Sequence, residues 1–147
     1  MVTANQESET HFVELVDDDP EAVDAMIDFF YSLRLAENLN EILVVKVYGL
    51  AHKYGCRDLR GPAMERFKAV IESAWRDDTK AVNAMRYLYE STPDSDRGLR
   101  DICCKQLQWW TWMCQDGPKA KINMKKLLEA VPAYAIDVVE SQLGVNK

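Results

Sequence analysis

The stretch DDPEAVDAMIDFFYS, residues 18–32, reads as a capped amphipathic helix, and that reading decides the fold class. Asp19 is a good N-cap, because its carboxylate can accept orphan N–H groups of the first turn. Pro20 suits the first helical position, where its missing N–H costs nothing. Glu21 complements the positive end of the helix dipole. Val23, Met26, Ile27 and Phe30 recur at i, i+3, i+4 and i+7, which predicts a buried stripe. The acidic run Asp17-Asp18-Asp19 therefore reads as a helix entry. A calcium loop would need oxygen ligands alternating over about twelve residues around a central glycine, and this stretch has neither feature.

The same pattern returns in DDTKAVNAMRYLYES, residues 77–91, identical at seven of fifteen positions with the same Ala-Val…Ala-Met register. It predicts a helix from Thr79 to about Glu90. One short match is not an array, because stacked repeats need about three units. Two similar capped helices, convergent or from an old duplication, account for it.

Between these helices, Asn40 caps a segment with Leu43, Val47, Leu50, Ala51 and Tyr54 on one face. Ile42, Val44, Val45 and Tyr48 widen the apolar arc, so this helix is expected to lie centrally and to close at a left-handed Gly55. A third helix is expected near Asp58, with Pro62 in its first turn and Ala63, Phe67, Val70, Ile71 and Ala74 facing the core. STPDSDRG (91–98) reads as a loop. A helix from about Asp96 to Cys114 follows, with Leu99, Cys103, Leu107, Trp110 and Cys114 on one side. Gly117-Pro118 breaks it, and two helices, about Met124–Val131 and Pro132–Leu143, end the chain at the terminator Gly144. Period two shows only at Val13 and Leu15, within a short half-buried strand expected over 11–16. The expected class is all-α, mainly a helical bundle with at most one short N-terminal strand.

Composition narrows the function. The chain has 147 residues, 48% apolar and 29% charged, as for one globular domain. A net charge of −6 repels phosphates, so no nucleic-acid partner is expected. The run Lys119, Lys121, Lys125 and Lys126 reads as a solvated helix face. The polar N-terminus and the lack of an apolar run near 20 residues argue against a signal peptide or membrane span, which implies a cytoplasmic or nuclear protein. Cys56, Cys103, Cys104 and Cys114 form no C-x-x-C pair, and reduced thiols are expected, Cys103 as a small buried residue.

No catalytic constellation emerges, so the chain is expected to be no enzyme and to use no cofactor. His52 and Cys56 are four apart, but Gly55 ends the helix between them and further ligands are missing, so no metal is expected. His11 is expected to face solvent. No glycine-rich phosphate loop and no G-x-S-x-G is present. In Trp109-Trp110-Thr111-Trp112 one helix cannot bury all three rings on one face. Trp110 belongs to the core stripe. Trp109 and Trp112 are either covered by the last two helices or form an interaction hot spot.

VELVDDDPEAVDAMIDFFYSL resembles the strand and helix in the middle of a BTB/POZ domain, and KVYGLAHKYGCRDLRGPAMERFKAVIES the helix-turn-helix that completes that family's domain. YLYESTPDSDRGLRDI and LLEAVPAYAIDVVESQL resemble the helical extension of filamentous-fungal members. The resemblance runs from Glu7 onward. The hairpin and first helix that open the family's domain have no counterpart here, which implies that the usual dimer face is absent. It also implies an unpaired edge strand at Val13 and Leu15. Where ligase-recruiting members carry a hydrophobic-x-Glu motif, this chain has Asn5-Gln6-Glu7, which weakens the implied link to a cullin-type ubiquitin ligase. The implied organisation is a disordered tail at 1–10, the back of a BTB/POZ-like domain at 11–75 and a packed helical extension at 76–147. The implied function is an intracellular adaptor or scaffold binding other proteins, a second copy of itself included. Phe12, Val13, Leu15, Trp109 and Trp112 are the expected contact surface. The alternatives are a degenerate paralogue without activity of its own and a helical small-molecule-binding domain.

Overall fold

The capping residues place the helices. The computed structural model describes Leu15, residues 17–113 and residues 118–145, the side chains of 78, 108–113 and 118–123 excepted. Seven helices follow one another among the described residues: α1 (Pro20–Ser32), α2 (Glu41–Lys53), α3 (Arg57–Ala74), α4 (Asp78–Ser91), α5 (Gly98–Met113), α6 (Pro118–Ala130) and α7 (Pro132–Gln142). The fold is all-α, and no described residue lies in a strand. The strand expected over 11–16 lies outside the described residues except for Leu15, which is half-buried and not in a strand.

Asp19 caps α1 by accepting from the amides of Glu21 (3.1 Å) and Ala22 (3.2 Å). Asp77 does the same for α4, accepting from Thr79 (3.0 Å) and Lys80 (3.2 Å). Asn40 accepts from Leu43 N–H at 2.8 Å. Gly55 takes φ +65°, and the amides of Cys56 and Gly55 donate to the carbonyls of Ala51 (2.8 Å) and His52 (3.3 Å). That paired bonding is the left-handed closure expected for a glycine after a helix.

The repeated register is buried in both helices. Ala22, Ala25, Met26 and Phe29 face the core from α1, and the aligned Ala81, Ala84, Met85 and Leu88 do so from α4. The caps slip by one residue between the copies, since Asp19 aligns with Asp78, yet the buried faces do not. This corrects the expected α1 stripe. Met26 is buried, but Val23 is half-buried while Ile27 and Phe30 are exposed. Two alanines let α1 sit close on α2, its main neighbour, and a close contact with one helix covers only a narrow arc.

α2 packs against α1, α3 and α4, as its wide apolar arc requires, with Val44, Val45, Val47, Tyr48, Leu50 and Ala51 buried. Leu43 is half-buried and Tyr54 is exposed, so the expected face is rotated here too. α4 touches α2, α3, α5, α6 and α7 and joins the two halves of the molecule. Two boundaries differ from expectation. Pro62 is the sixth residue of α3, not part of its first turn. Gly61 precedes it and has no Cβ to strike the proline ring, and the carbonyl left without a donor belongs to exposed Asp58. α6 begins at Pro118 instead of Met124, with proline at the tolerated first position.

Two Tyr–Asp–Arg triads lock these helices around the loop at 92–97. Tyr48 Oη donates to Asp96 Oδ1 at 2.7 Å, and Arg60 donates to Tyr48 Oη at 2.9 Å. Tyr89 Oη donates to Asp137 Oδ2 at 2.6 Å, and Arg97 reaches the same oxygen at 2.9 Å. Neighbours Asp96 and Arg97 thus tie α2 and α3 on one side to α4 and α7 on the other. Buried Arg100 holds the loop, donating to Thr92 Oγ1 (3.0 Å), Asp94 (2.7 Å) and the Thr92 carbonyl.

Gly98 starts α5 against the first triad. A Cβ there would lie 2.3 Å from Tyr48 Oη, and Tyr48 is wholly buried and cannot swing aside. Gly98→Ala is expected to cost about 2 kcal/mol in urea denaturation. Gly49, in α2 with open space around it, is the control, and Gly49→Ala is expected to add about 0.5–1 kcal/mol.

Candidate functional site

The outer side of α1 and its C-cap expose four large apolar side chains close together in sequence. Ile27 is 41% exposed, Phe30 51%, Tyr31 88% and Leu33 75%. Phe30 meets Phe29 edge-on with centroids 5.8 Å apart, so its ring is braced from the core side. Leu33 caps the helix at φ +57°, with its amide donating to the Phe29 carbonyl at 2.7 Å. A leucine in that left-handed conformation costs about 1 kcal/mol over glycine. The fold therefore carries backbone strain at a position where the side chain gains no burial.

The rim of this face is acidic. Residues 17–37 hold seven carboxylates against one basic residue, Arg34. Two of the seven are engaged inward. Asp19 pairs with Lys46, and Asp18 accepts from Lys53 at 2.8 Å and from the Tyr54 hydroxyl. The Lys53 and Tyr54 donors hold the Asp18 carboxyl below its usual value, and Lys46 with the Ala22 amide does the same for Asp19. These pairs line an open groove of about 600 Å³ between the start of α1, α2 and α4, with Gly49 and Tyr87 also in its wall. Glu21, Asp24 and Asp28 remain exposed on α1.

α4 shows how one position of this face looks when covered. Tyr89, aligned with Phe30, has the Tyr134 ring of α7 edge-on at 5.9 Å and the Arg100 guanidinium 4.3 Å from its centroid. Burial, then the bond to Asp137, pushes the Tyr89 phenol far above its ordinary range. Beside it lies a cavity of about 280 Å³ lined by Arg97, Asp101, Cys104, Lys105, Asp137 and Glu140. Burial, then the Asp137 charge, pushes the Cys104 thiol up to about 11, so at neutral pH it is a protonated thiol, not a nucleophile. Burial pulls the Arg97 guanidinium down, but its bonds to Asp137 and Asp101 outweigh this and raise it. The cluster acts as an ion-paired clamp between α5 and α7.

Of the residues expected to form a contact surface, Phe12 and Val13 lie outside the described residues. Leu15 is half-buried at the entry to the acidic run. Trp109 and Trp112 lie on α5, and their side chains are outside the described set. His52 is exposed in α2, whereas Cys56 follows Gly55 and caps α3. No metal-binding cluster of three or more such ligands occurs among the described residues. Cys56, Cys103 and Cys104 are free thiols, and Cys103 is wholly buried; Cys114 lies outside the described residues. No described helix is long and apolar enough to cross a membrane. The sequence reading missed the α1 face because Ile27 and Phe30 satisfy helical periodicity. The signal available was the aligned Arg86 and Glu90 of the second copy, solvent-type residues opposite Ile27 and Tyr31.

No protein-family model, curated protein or solved structure matches the chain.

The depressed carboxyls predict a local acid transition. Their stabilisation is complete above the unfolded value near pH 4 and is lost as pH falls through the lowered folded values. The Glu21 and Ala22 amide resonances are therefore expected to titrate with a midpoint below about 3.9, the unperturbed aspartate value. Asp19→Asn, which keeps a cap acceptor but removes the Lys46 ion pair, is expected to abolish the Asp19 part of that titration.

Proposed function

We propose that the chain is a non-catalytic protein–protein interaction module, an adaptor or scaffold of BTB/POZ-like type, working through the outer face of α1. The observation that carries this reading is the exposure of Ile27, Phe30, Tyr31 and Leu33 on a helix whose other face is buried. Contiguous apolar patches beyond a few hundred Å² are uncommon on monomers and mark binding surfaces. Leu33 adds weight, since backbone strain with no folding return is typical of functional positions. The BTB/POZ element rests on the sequence resemblance, including DDPEAVDAMIDFFYS itself. A cytoplasmic or nuclear setting is part of the proposal, because free thiols persist where glutathione and thioredoxin keep them reduced.

A binding face and a folding face respond differently to substitution. Leu33→Gly is expected to raise stability by about 1 kcal/mol by relieving the left-handed strain. Phe30→Ser with Tyr31→Ser is expected to change it by less than about 1 kcal/mol, whereas Phe29→Ala costs about 3–4 kcal/mol. A photo-crosslinking side chain at position 31 is expected to give a defined adduct in extract that Phe30→Ser abolishes. Large destabilisation by the outer-face variants, with no position-specific adduct, would refute the proposal.

A further inference from the structure

The two copies of the helix motif differ in what lies over the aligned Phe30 and Tyr89, and the covered position shows what fits. Over Tyr89 lie an aromatic ring from another helix, Tyr134, and a guanidinium, Arg100. Phe30 stands at the aligned position of α1, but it is half exposed and its ring meets Phe29 of its own helix. The α1 copy presents two more large apolar residues, because Ile27 and Tyr31 stand where α4 has Arg86 and Glu90.

Charge selects among occupants. The face is bordered by exposed Glu21, Asp24 and Asp28, and residues 17–37 carry only Arg34 to offset their carboxylates. A second copy docking α1 on α1 would set each Asp24 and Asp28 against the other's. The chain's own residues 1–16 contain Glu7, Glu9 and Glu14 with no lysine or arginine, so they too match poorly. An anionic lipid surface would be repelled. A basic amphipathic helix meets both demands, placing apolar residues on Ile27, Phe30, Tyr31 and Leu33 and Lys or Arg over the carboxylates. Cations also gain from the aromatic faces, as Arg100 does on Tyr89.

We infer that the outer face of α1 docks a basic amphipathic helix of a partner protein, its cations held by Asp24, Asp28 and Glu21. This rests on the reading of the face as a docking surface. The test uses the full chain and two synthetic amphipathic peptides of roughly 18 residues, about five turns, one of Leu and Lys and the other of Leu and Glu. Binding is followed by calorimetry at two salt concentrations. The Leu/Lys peptide is expected to bind at least tenfold more tightly than the Leu/Glu peptide. Phe30→Ser is expected to weaken it tenfold or more, and Asp24→Asn with Asp28→Asn about three- to tenfold with a smaller salt dependence. Glu65→Gln with Glu72→Gln, on the exposed side of α3, is expected to leave it unchanged. Melting temperatures confirm that each variant folds.

Equal binding of the two peptides, lost in Phe30→Ser, would overturn the basic partner while leaving the docking face in place. Leu/Lys binding indifferent to Phe30→Ser would overturn the site. Self-association in light scattering that Phe30→Ser abolishes would make a second copy the occupant and overturn the inference. Binding of phosphatidylcholine vesicles through the same residues, without the peptide, would make it a membrane face and overturn it as well. Failure of every probe would take both the inference and the docking face with it.

Discussion

Everything in this molecule depends on how closely α4 can approach its neighbours. Its buried face sets the small Ala81 and Ala84 beside the larger Met85 and Leu88. A bulkier residue at either alanine would push α4 away from several helices at once, because it touches α2, α3, α5, α6 and α7. α1 uses the same small-residue face against α2 but has no comparable set of further neighbours among the described residues. One surface of the motif therefore builds the core in both places, and on the other Tyr89 is half-buried where the aligned Phe30 is exposed.

The polar clamps complete the arrangement. Buried phenols and carboxylates are costly unless paired, and each triad pairs them with a guanidinium. Asp96 and Arg97 serve different triads from adjacent positions, so the loop between α4 and α5 sets the spacing of both halves. Arg100, 3% exposed, satisfies that loop from beneath. Burial drives the Tyr89 phenol and the Cys104 thiol up, so both stay neutral beside the Asp137 carboxylate they adjoin.

The helices, their order and most of their caps were legible because capping is local chemistry. Asp19, Asn40 and Gly55 act as their residue types dictate, and Asp77 repeats the device. The rotation of α1 was not legible. Periodicity favours Val23, Met26, Ile27 and Phe30, while the observed arc, Ala22, Ala25, Met26 and Phe29, follows from close helix contact that alanine permits. Pro62 inside α3 and the early start of α6 also escaped, since each depends on context that overrides a local rule. Neither triad was foreseen, because the partners lie up to 48 residues apart. The contact site expected at Trp109 and Trp112 falls on side chains outside the described residues, whereas the α1 face was concealed by a pattern that normally means core.

The account turns on one asymmetry, an aromatic position of the repeated helix that is covered on α4, at Tyr89, and open on α1, at Phe30. The direct measurement is the broadening of side-chain resonances by a soluble paramagnetic agent, residue by residue, in the free protein. The Met26 and Met85 methyls should be strongly protected and the half-buried Tyr89 ring partly so, while the Ile27 methyls and the Phe30 and Tyr31 rings broaden strongly. Protection of Ile27 and Phe30 equal to that of Tyr89 would show the α1 face to be covered and would contradict the account.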